Sequence, residues 1–263
     1  MSPMVEWIAA HALLLWALLL ILALLGGDLA WQYNARWQRR AARLGLARTV
    51  LRWQVGMILL LALVLCFAAI ALALFGRHTS ALAGFDAALA ESLRDQMPLP
   101  VLRMIATITH LGDKLWVASA AVLVLAALLL RRHWRLALTW AVALVGTVPI
   151  NDSLKALFRR TRPLHDHGFI SQPGWSFPSG HAFGAVVFYG MLAYVLLHLS
   201  TRFHRVLVAA AMLLIGVIGI SRILLQVHYF SDVLAGYTAG AAWLVLCISA
   251  AEMRRTPTRP TRP

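Results

Sequence analysis

Seven apolar stretches, long enough or nearly so to cross a bilayer, are separated by short polar segments of sharply unequal charge. They run roughly 8–26, 56–75, 115–130, 136–153, 182–199, 206–223 and 232–250. The third is short and is bounded by "RRHWR". A chain in hydrocarbon must satisfy its backbone polar groups within the segment, and a helix does this. The expected fold class is therefore all-α, a polytopic membrane helical bundle of about seven spans. Composition agrees: 61% of the 263 residues are hydrophobic and 13% are charged, against about 25% charged in soluble domains. The first stretch lacks a basic leader and carries Glu6, so it reads as a retained span and not as a cleaved signal.

The arginines give the orientation. They cluster in "NARWQRRAARLGLARTVLRW", in "RRHWR" at 131–135, around Arg202 and Arg205, and in the tail "EMRRTPTRPTRP". Alternating spans put all four clusters on one face, which the positive-inside rule makes cytoplasmic. The expected location is the inner (cytoplasmic) membrane of a bacterium. The segments 76–114, 154–181 and 224–231 then face the periplasm or exterior. The net charge of +14 is accounted for in this way, so nucleic acid is not the expected partner; no protein partner can be named. In "LAGFDAALAESLRDQM", Leu82, Phe85, Leu89, Leu93 and Met97 form a helical stripe. Asp86, Arg94 and Asp95 lie largely off it. Such a helix either lies in the membrane interface or packs on the bundle. Pro98 and Pro100 end it. Cys66 and Cys247 sit inside spans and read as two small buried thiols, with no disulfide framework. The tail is expected to be disordered.

The chemistry gathers in three clusters on the outer side. "KALFRRTRP" carries Lys155, Arg159, Arg160 and Arg162. A continuing helix would place Lys155, Arg159 and Arg162 on one face. So many cations on the side where positive charge is scarce call for an anion, and guanidinium forks match phosphate oxygens. "SFPSGHAFG" opens an apolar stretch: Ser179 caps a helix, Gly180 admits close approach, and His181 sits in the first turn. The free N–H groups there favour an anion. In "SRILLQVHYFSD", Arg222 precedes His228 and Asp232, which are four apart. One helical turn would set the carboxylate against the imidazole, fixing its tautomer and leaving the other nitrogen free. Asp232 also opens an apolar span, where a carboxylate needs a partner. His11, His110 and His198 read as incidental membrane-edge histidines. Asp152, His165, Asp166 and His167 read as solvated loop residues, Asp152 being a possible partner of Lys155. Together the clusters describe a phosphoryl-transfer site. No clustered carboxylates suit a two-metal centre, so neither metal nor cofactor is expected.

Lys155, then six residues, then Arg162-Pro163; Pro178-Ser179-Gly180-His181; and Ser221-Arg222, then five residues, then His228, then three, then Asp232: this pattern resembles the three-part signature of the type 2 phosphatidic acid phosphatases, the membrane lipid phosphate phosphatases. The resemblance runs from about residue 80 to 250 and includes "ITHLGD" and "HYFSDVLAG". It implies that His228 attacks phosphorus and becomes a phosphohistidine, that Asp232 orients it, and that His181 protonates the leaving oxygen and then activates water. It also implies that Lys155, Arg162, Ser179, Gly180 and Arg222 hold the phosphoryl oxygens. Arg159 and Arg160 fall outside the strict signature and read as electrostatic helpers or headgroup contacts. The family core commonly has six spans. The expected division is 1–54 as an added span and basic loop, 55–251 as the phosphatase membrane domain, and 252–263 as the tail. The expected activity is hydrolysis of a lipid phosphate or diphosphate. Candidate substrates are undecaprenyl diphosphate, phosphatidylglycerol phosphate, phosphatidic acid and lipid A phosphates. A phosphotransferase, for example to lipid A, would use the same residues. A transporter is the rival of another class, but the span centres are almost wholly apolar.

Overall fold

The structure, a computed structural model, describes residues 3–43, 49–76, 80–163, 168, 173–199 and 203–254. These residues form ten α-helices and one 3₁₀ turn joined by short connections, and contain no strand. The order is α1 (Pro3–Ala10), α2 (Ala12–Arg43), α3 (Trp53–Phe75), α4 (Ala81–Gln96), α5 (Leu99–Thr109), the turn His110–Gly112, α6 (Lys114–Leu130), α7 (Trp134–Phe158), α8 (Gly180–Leu199), α9 (His204–Leu224) and α10 (Phe230–Met253). Among the described residues, seven segments are long and apolar enough to cross a membrane. The short third stretch gains its length from α5: the segment is Leu99–Leu130, bent at the 3₁₀ turn. Pro98 and Pro100 therefore do more than end α4. Pro98 is the N-cap of α5 and Pro100 lies in its first turn, where a missing N–H costs nothing.

α8 is the central helix, and 61% of its most apolar window is buried. α10 packs closely on it because Gly236 and Gly240 lie one turn apart on the facing side. A methyl on Gly236 would stand 2.6 Å from Ser179 O, and one on Gly240 would stand 2.8 Å from Phe183 O. Small residues at this spacing let helix backbones approach where lipid supplies no hydrophobic drive. Trp140, Phe183, Phe188, Met191 and Tyr194 fill the core formed with α7. The ends opposite the three clusters meet through Glu252, which accepts from Tyr194 Oη (2.8 Å) and Val50 N (3.3 Å).

α4 packs on the bundle: Leu89 and Leu93 join Leu102, Ile105, Leu224 and Leu225 in one cluster with Val5 and Ala9 of α1. Asp86, placed off the stripe by the sequence, is 1% exposed. The basic loop after the first span is helical as far as Arg43. α2 packs along α9, where Arg205 forms a two-pronged pair with Asp28. α10 runs to Met253, with Glu252 buried, so the helix extends two residues into the expected tail. Residues 255–263 lie outside the described residues. Cys247 is buried as expected, whereas Cys66 is exposed on α3. Hydropathy does not separate a lipid-facing apolar face from a bundle-facing one.

Candidate active site

α7 stops at Phe158, and Arg159 caps it in the left-handed conformation (φ 47°). The helix does not continue through the basic cluster, so Lys155, Arg159 and Arg162 do not share a helical face. Arg159 is exposed and its Nε turns back to Ala156 O (3.0 Å). Lys155 and Arg162 converge by another route. Lys155 Nζ donates to Trp175 O (2.5 Å). The Arg162 fork donates to Gly174 O (Nε, 3.0 Å), Trp175 O (Nη2, 3.0 Å) and Val227 O (Nη1, 2.7 Å). Nη1 also lies 3.1 Å from His228 Nε2. Asp152 is exposed, with no ion pair to Lys155 among the described residues. His165, Asp166 and His167 lie outside those residues.

His228 and Asp232 meet, although not across a helical turn. His228 lies in the connection between α9 and α10, whose backbone N–H groups at Val227 and His228 both donate to Arg222 O (3.2 Å). Asp232 is the third residue of α10 and reaches back to accept from Tyr229 N (2.9 Å). This capping arrangement brings Asp232 Oδ2 to 3.5 Å from His228 Nδ1. Ser176 Oγ bridges them: it donates to Asp232 Oδ2 and lies 3.3 Å from His228 Nδ1. These acceptors favour the proton on Nδ1, so the Nε2 lone pair points to the Arg162 side. Burial first, then Arg162 and Arg222, push the His228 imidazole down to about 3 against the opposing pull of Asp232. The ring is therefore neutral near pH 7.

Arg160 lies on the carboxylate side of the site. Nη1 donates to Asp232 Oδ1 (2.7 Å) and Ser231 Oγ (2.8 Å), and Nη2 donates to Asp86 Oδ2 (2.8 Å). The guanidinium stacks over Tyr229 at 4.2 Å. Burial alone would weaken its hold on the proton; the Asp232 and Asp86 carboxylates outweigh burial and raise its pKa above the ordinary arginine value. Ser231 N also donates to Asp86 Oδ1 (3.2 Å). α4, the post-α7 segment and α10 are thus tied together at Asp232.

The start of α8 completes the site. Ser179 is fully buried, its N–H donating to Asp232 O (2.9 Å) and its Oγ facing Ala182 N (3.5 Å). Gly180 lies against α7: an added methyl would sit 3.1 Å from Asn151 Oδ1 and 4.0 Å from Lys155 Cε. His181 Nε2 lies 2.9 Å from Asp113 Oδ1. Asp113 Oδ2 is 2.6 Å from Nδ1 of His110, a histidine the sequence reading set aside. Arg222 is fully buried, with Nη1 donating to Thr109 Oγ1 (3.0 Å). Its Nε and Nη2, and Asn151 Nδ2, have no partner among the described residues. Buried donors without acceptors are costly, and a phosphoryl group would satisfy them.

Sequence reading missed Asp86, Asp113, Asn151, Ser176 and Thr109. Two of them carried a signal. Asp86 is an acid within an apolar-striped helix, and Asp113 closes the polar "THLGD" between apolar runs. Among the described residues, no group of three or more His, Cys, Asp or Glu side chains is placed to hold a metal ion.

Comparison with known proteins agrees with this geometry. The family model of the PAP2 superfamily matches residues 133–256. Phosphatidylglycerophosphatase B of Bacillus subtilis (strain 168) is 31% identical over 173 residues, which span 62% of this chain and 81% of the relative. The crystal structure of the transmembrane PAP2 type phosphatidylglycerolphosphate phosphatase from Bacillus subtilis superposes with a TM-score of 0.68 at 26% identity, covering 76% of this chain and 98% of that one. With its membrane spans, its neutral imidazole backed by a carboxylate and its convergent cations, the chain belongs to the PAP2 superfamily and is a multi-pass membrane hydrolase of lipid phosphates.

Proposed function

We propose that the protein dephosphorylates phosphatidylglycerol phosphate, at the outer face of a bacterial inner membrane, through a phosphohistidine on His228. Undecaprenyl diphosphate is the second substrate to test. The observation that carries the reading is the His228 ring. Its Nδ1 is held by Ser176 and Asp232, while its Nε2 stands 3.1 Å from Arg162 with Arg222 close enough to lower its pKa. The Bacillus relatives supply the lipid.

The Nε2 lone pair attacks phosphorus as the bond to the lipid oxygen breaks. That oxygen takes the proton of His181. The phosphorylated ring is cationic and Asp232 stabilises it. Lys155, Arg162, Arg222 and the α8 N–H groups behind Ser179 and Gly180 hold the phosphoryl oxygens, the charge being greatest in the transition state. Water then attacks phosphorus and gives its proton to His181, while the P–N electron pair returns to Nε2. Both histidines end as they began. Arg160, itself anchored by Asp86, pairs with Asp232 and keeps it aimed.

The lipid assignment is tested by phosphate release in liposomes from phosphatidylglycerol phosphate, undecaprenyl diphosphate and phosphatidic acid, each beside a short-chain analogue. Each methylene kept in an apolar setting contributes about 0.8 kcal/mol, and part of this can position the phosphate. kcat/KM is expected to rise steeply with tail length and to be highest for phosphatidylglycerol phosphate. Equal efficiency for short and long tails would remove the lipid-guided reading. For orientation, reporter fusions at residues 45 and 168 are expected on opposite sides, with 45 cytoplasmic; a shared side contradicts it.

pH gives a further check. His228 loses its lone pair only as pH approaches about 3, so the acid limb of kcat/KM due to this group lies well below neutral. Asp232 raises the His228 pKa, so Asp232→Asn moves that limb to lower pH as well as slowing the reaction. An acid limb near the ordinary histidine value of about 6.5 that shifted in Asp232→Asn would contradict a buried, neutral nucleophile.

A further inference from the structure

We propose that Asp113, fixed in turn by His110, is the positioning residue of the general acid, His181. The proposal rests on the reading of His181 as that acid, and it concerns a segment outside the three signature clusters. Residues 109–113 wrap the start of α8. Asp113 Oδ1 is 2.9 Å from His181 Nε2, and its other oxygen is 2.6 Å from His110 Nδ1. The contact is built by shape as well as charge. A methyl on Gly112 would stand 3.1 Å from His181 Cδ2 and 2.6 Å from Ile218 Cγ2, so only glycine lets the turn lie on the ring. Leu111 O accepts from Tyr189 Oη (2.8 Å), which pins the turn to the next stretch of α8. Thr109 Oγ1 accepts from both Arg222 Nη1 (3.0 Å) and Ser221 Oγ (2.9 Å), so the same turn holds a phosphate-facing arginine.

The chemistry follows from which nitrogen is engaged. With Nε2–H donating to Asp113, the ring orientation is fixed and the imidazolium is stabilised, as Asp232 does for His228. His181 Nδ1 is then the atom that gives its proton to the leaving oxygen and takes one from the attacking water. The two histidines thus work through different nitrogens: His228 through Nε2 and His181 through Nδ1. His110 is largely exposed, with 65% of its side chain accessible. It occupies the second Asp113 oxygen and keeps the carboxylate from turning away.

The test uses two esters of the same phosphate, one with an alkyl alcohol and one with a nitrophenol as leaving group. An alkoxide needs the acid's proton; a nitrophenolate leaves without it. Asp113→Asn is expected to lower kcat/KM, which reports the phosphorylation half-reaction and not the water attack common to both esters, by a large part of the about 10²–10⁴-fold that a placed general acid contributes for the alkyl ester, and to lower it far less for the nitrophenyl ester. His181→Ala is expected to show the same split. Equal losses on both esters with a folded Asp113→Asn protein, while His181→Ala shows the split, would overturn the role of Asp113 and leave His181 as the acid. Equal losses with His181→Ala would remove both. His110→Gln, at an exposed side chain, is the second variant should Asp113→Asn not fold. It is expected to show the same split at smaller size, and a wild-type ratio of the two ester rates would overturn the chain from His110 to His181.

Discussion

His228→Ala should lower kcat by about 10⁴–10⁶-fold, the scale seen when a covalent nucleophile is removed from an otherwise intact site. The protein should still fold. His228 is buried, but it is held through its backbone N–H and by the neighbouring Val227 N, both bonded to Arg222 O, and these bonds survive the substitution. Substrate binding should persist as well, because Lys155, Arg162 and Arg222 remain. Phosphate release and lipid binding measured on the same detergent-purified variant separate the two. A variant that turned over within tenfold of wild type would leave His228 without a covalent role.

Arg160→Met should carry the largest stability effect in the site. The Arg160 side chain is 12% exposed, and its two partners, Asp86 and Asp232, are fully buried. Removing the cation leaves two buried carboxylates without the ion pair they share. Breaking a buried pair in this way costs about 3–5 kcal/mol. The charge-removing partner change, Asp86→Asn, is expected to be milder, since Arg160 keeps Asp232. Combining Asp86→Asn with Arg160→Met should restore part of the loss by removing one of the stranded charges. Thermal unfolding in one detergent measures all three. Activity should fall along with stability in Arg160→Met, because Asp232 loses the group that aims it. An Arg160→Met protein with wild-type melting and rate would show that the pair is incidental.

The sequence conveyed the bundle and the site to different depths. Span number was legible because the cost of unsatisfied backbone in lipid forces long apolar helices, whatever their partners. Which face of a span meets lipid was not, as Cys66 shows. The three polar clusters stood out because polar residues at the ends of apolar spans have few other reasons to be there. The path between Lys155 and Arg162 was misread, since nothing in "KALFRRTRP" before Pro163 forbids a helix. The break at Arg159 is set by tertiary demands: Arg160 must reach Asp232 and Arg162 must reach Val227 O. The pairing of Arg160 with Asp86 joins residues 74 apart, beyond any periodic pattern. His228 and Asp232 met as their spacing suggested, but through a cap at the start of α10 and not a helical turn. His110 was set aside as a lone histidine, yet Asp113 three residues later gave it a partner and a route to His181.

The central claim is the covalent intermediate, and rapid quenching tests it most directly. Protein mixed with ³²P-labelled phosphatidylglycerol phosphate in micelles and quenched in alkali within the first turnover should carry label on one histidine. Peptide mapping should place it on His228, bonded through Nε2, with acid lability and alkali stability. His181→Ala should still form some of it, and the label should persist longer because no group activates water. Label on another residue, or full turnover in wild type with none trapped at any time point, would contradict the account and favour direct attack by water.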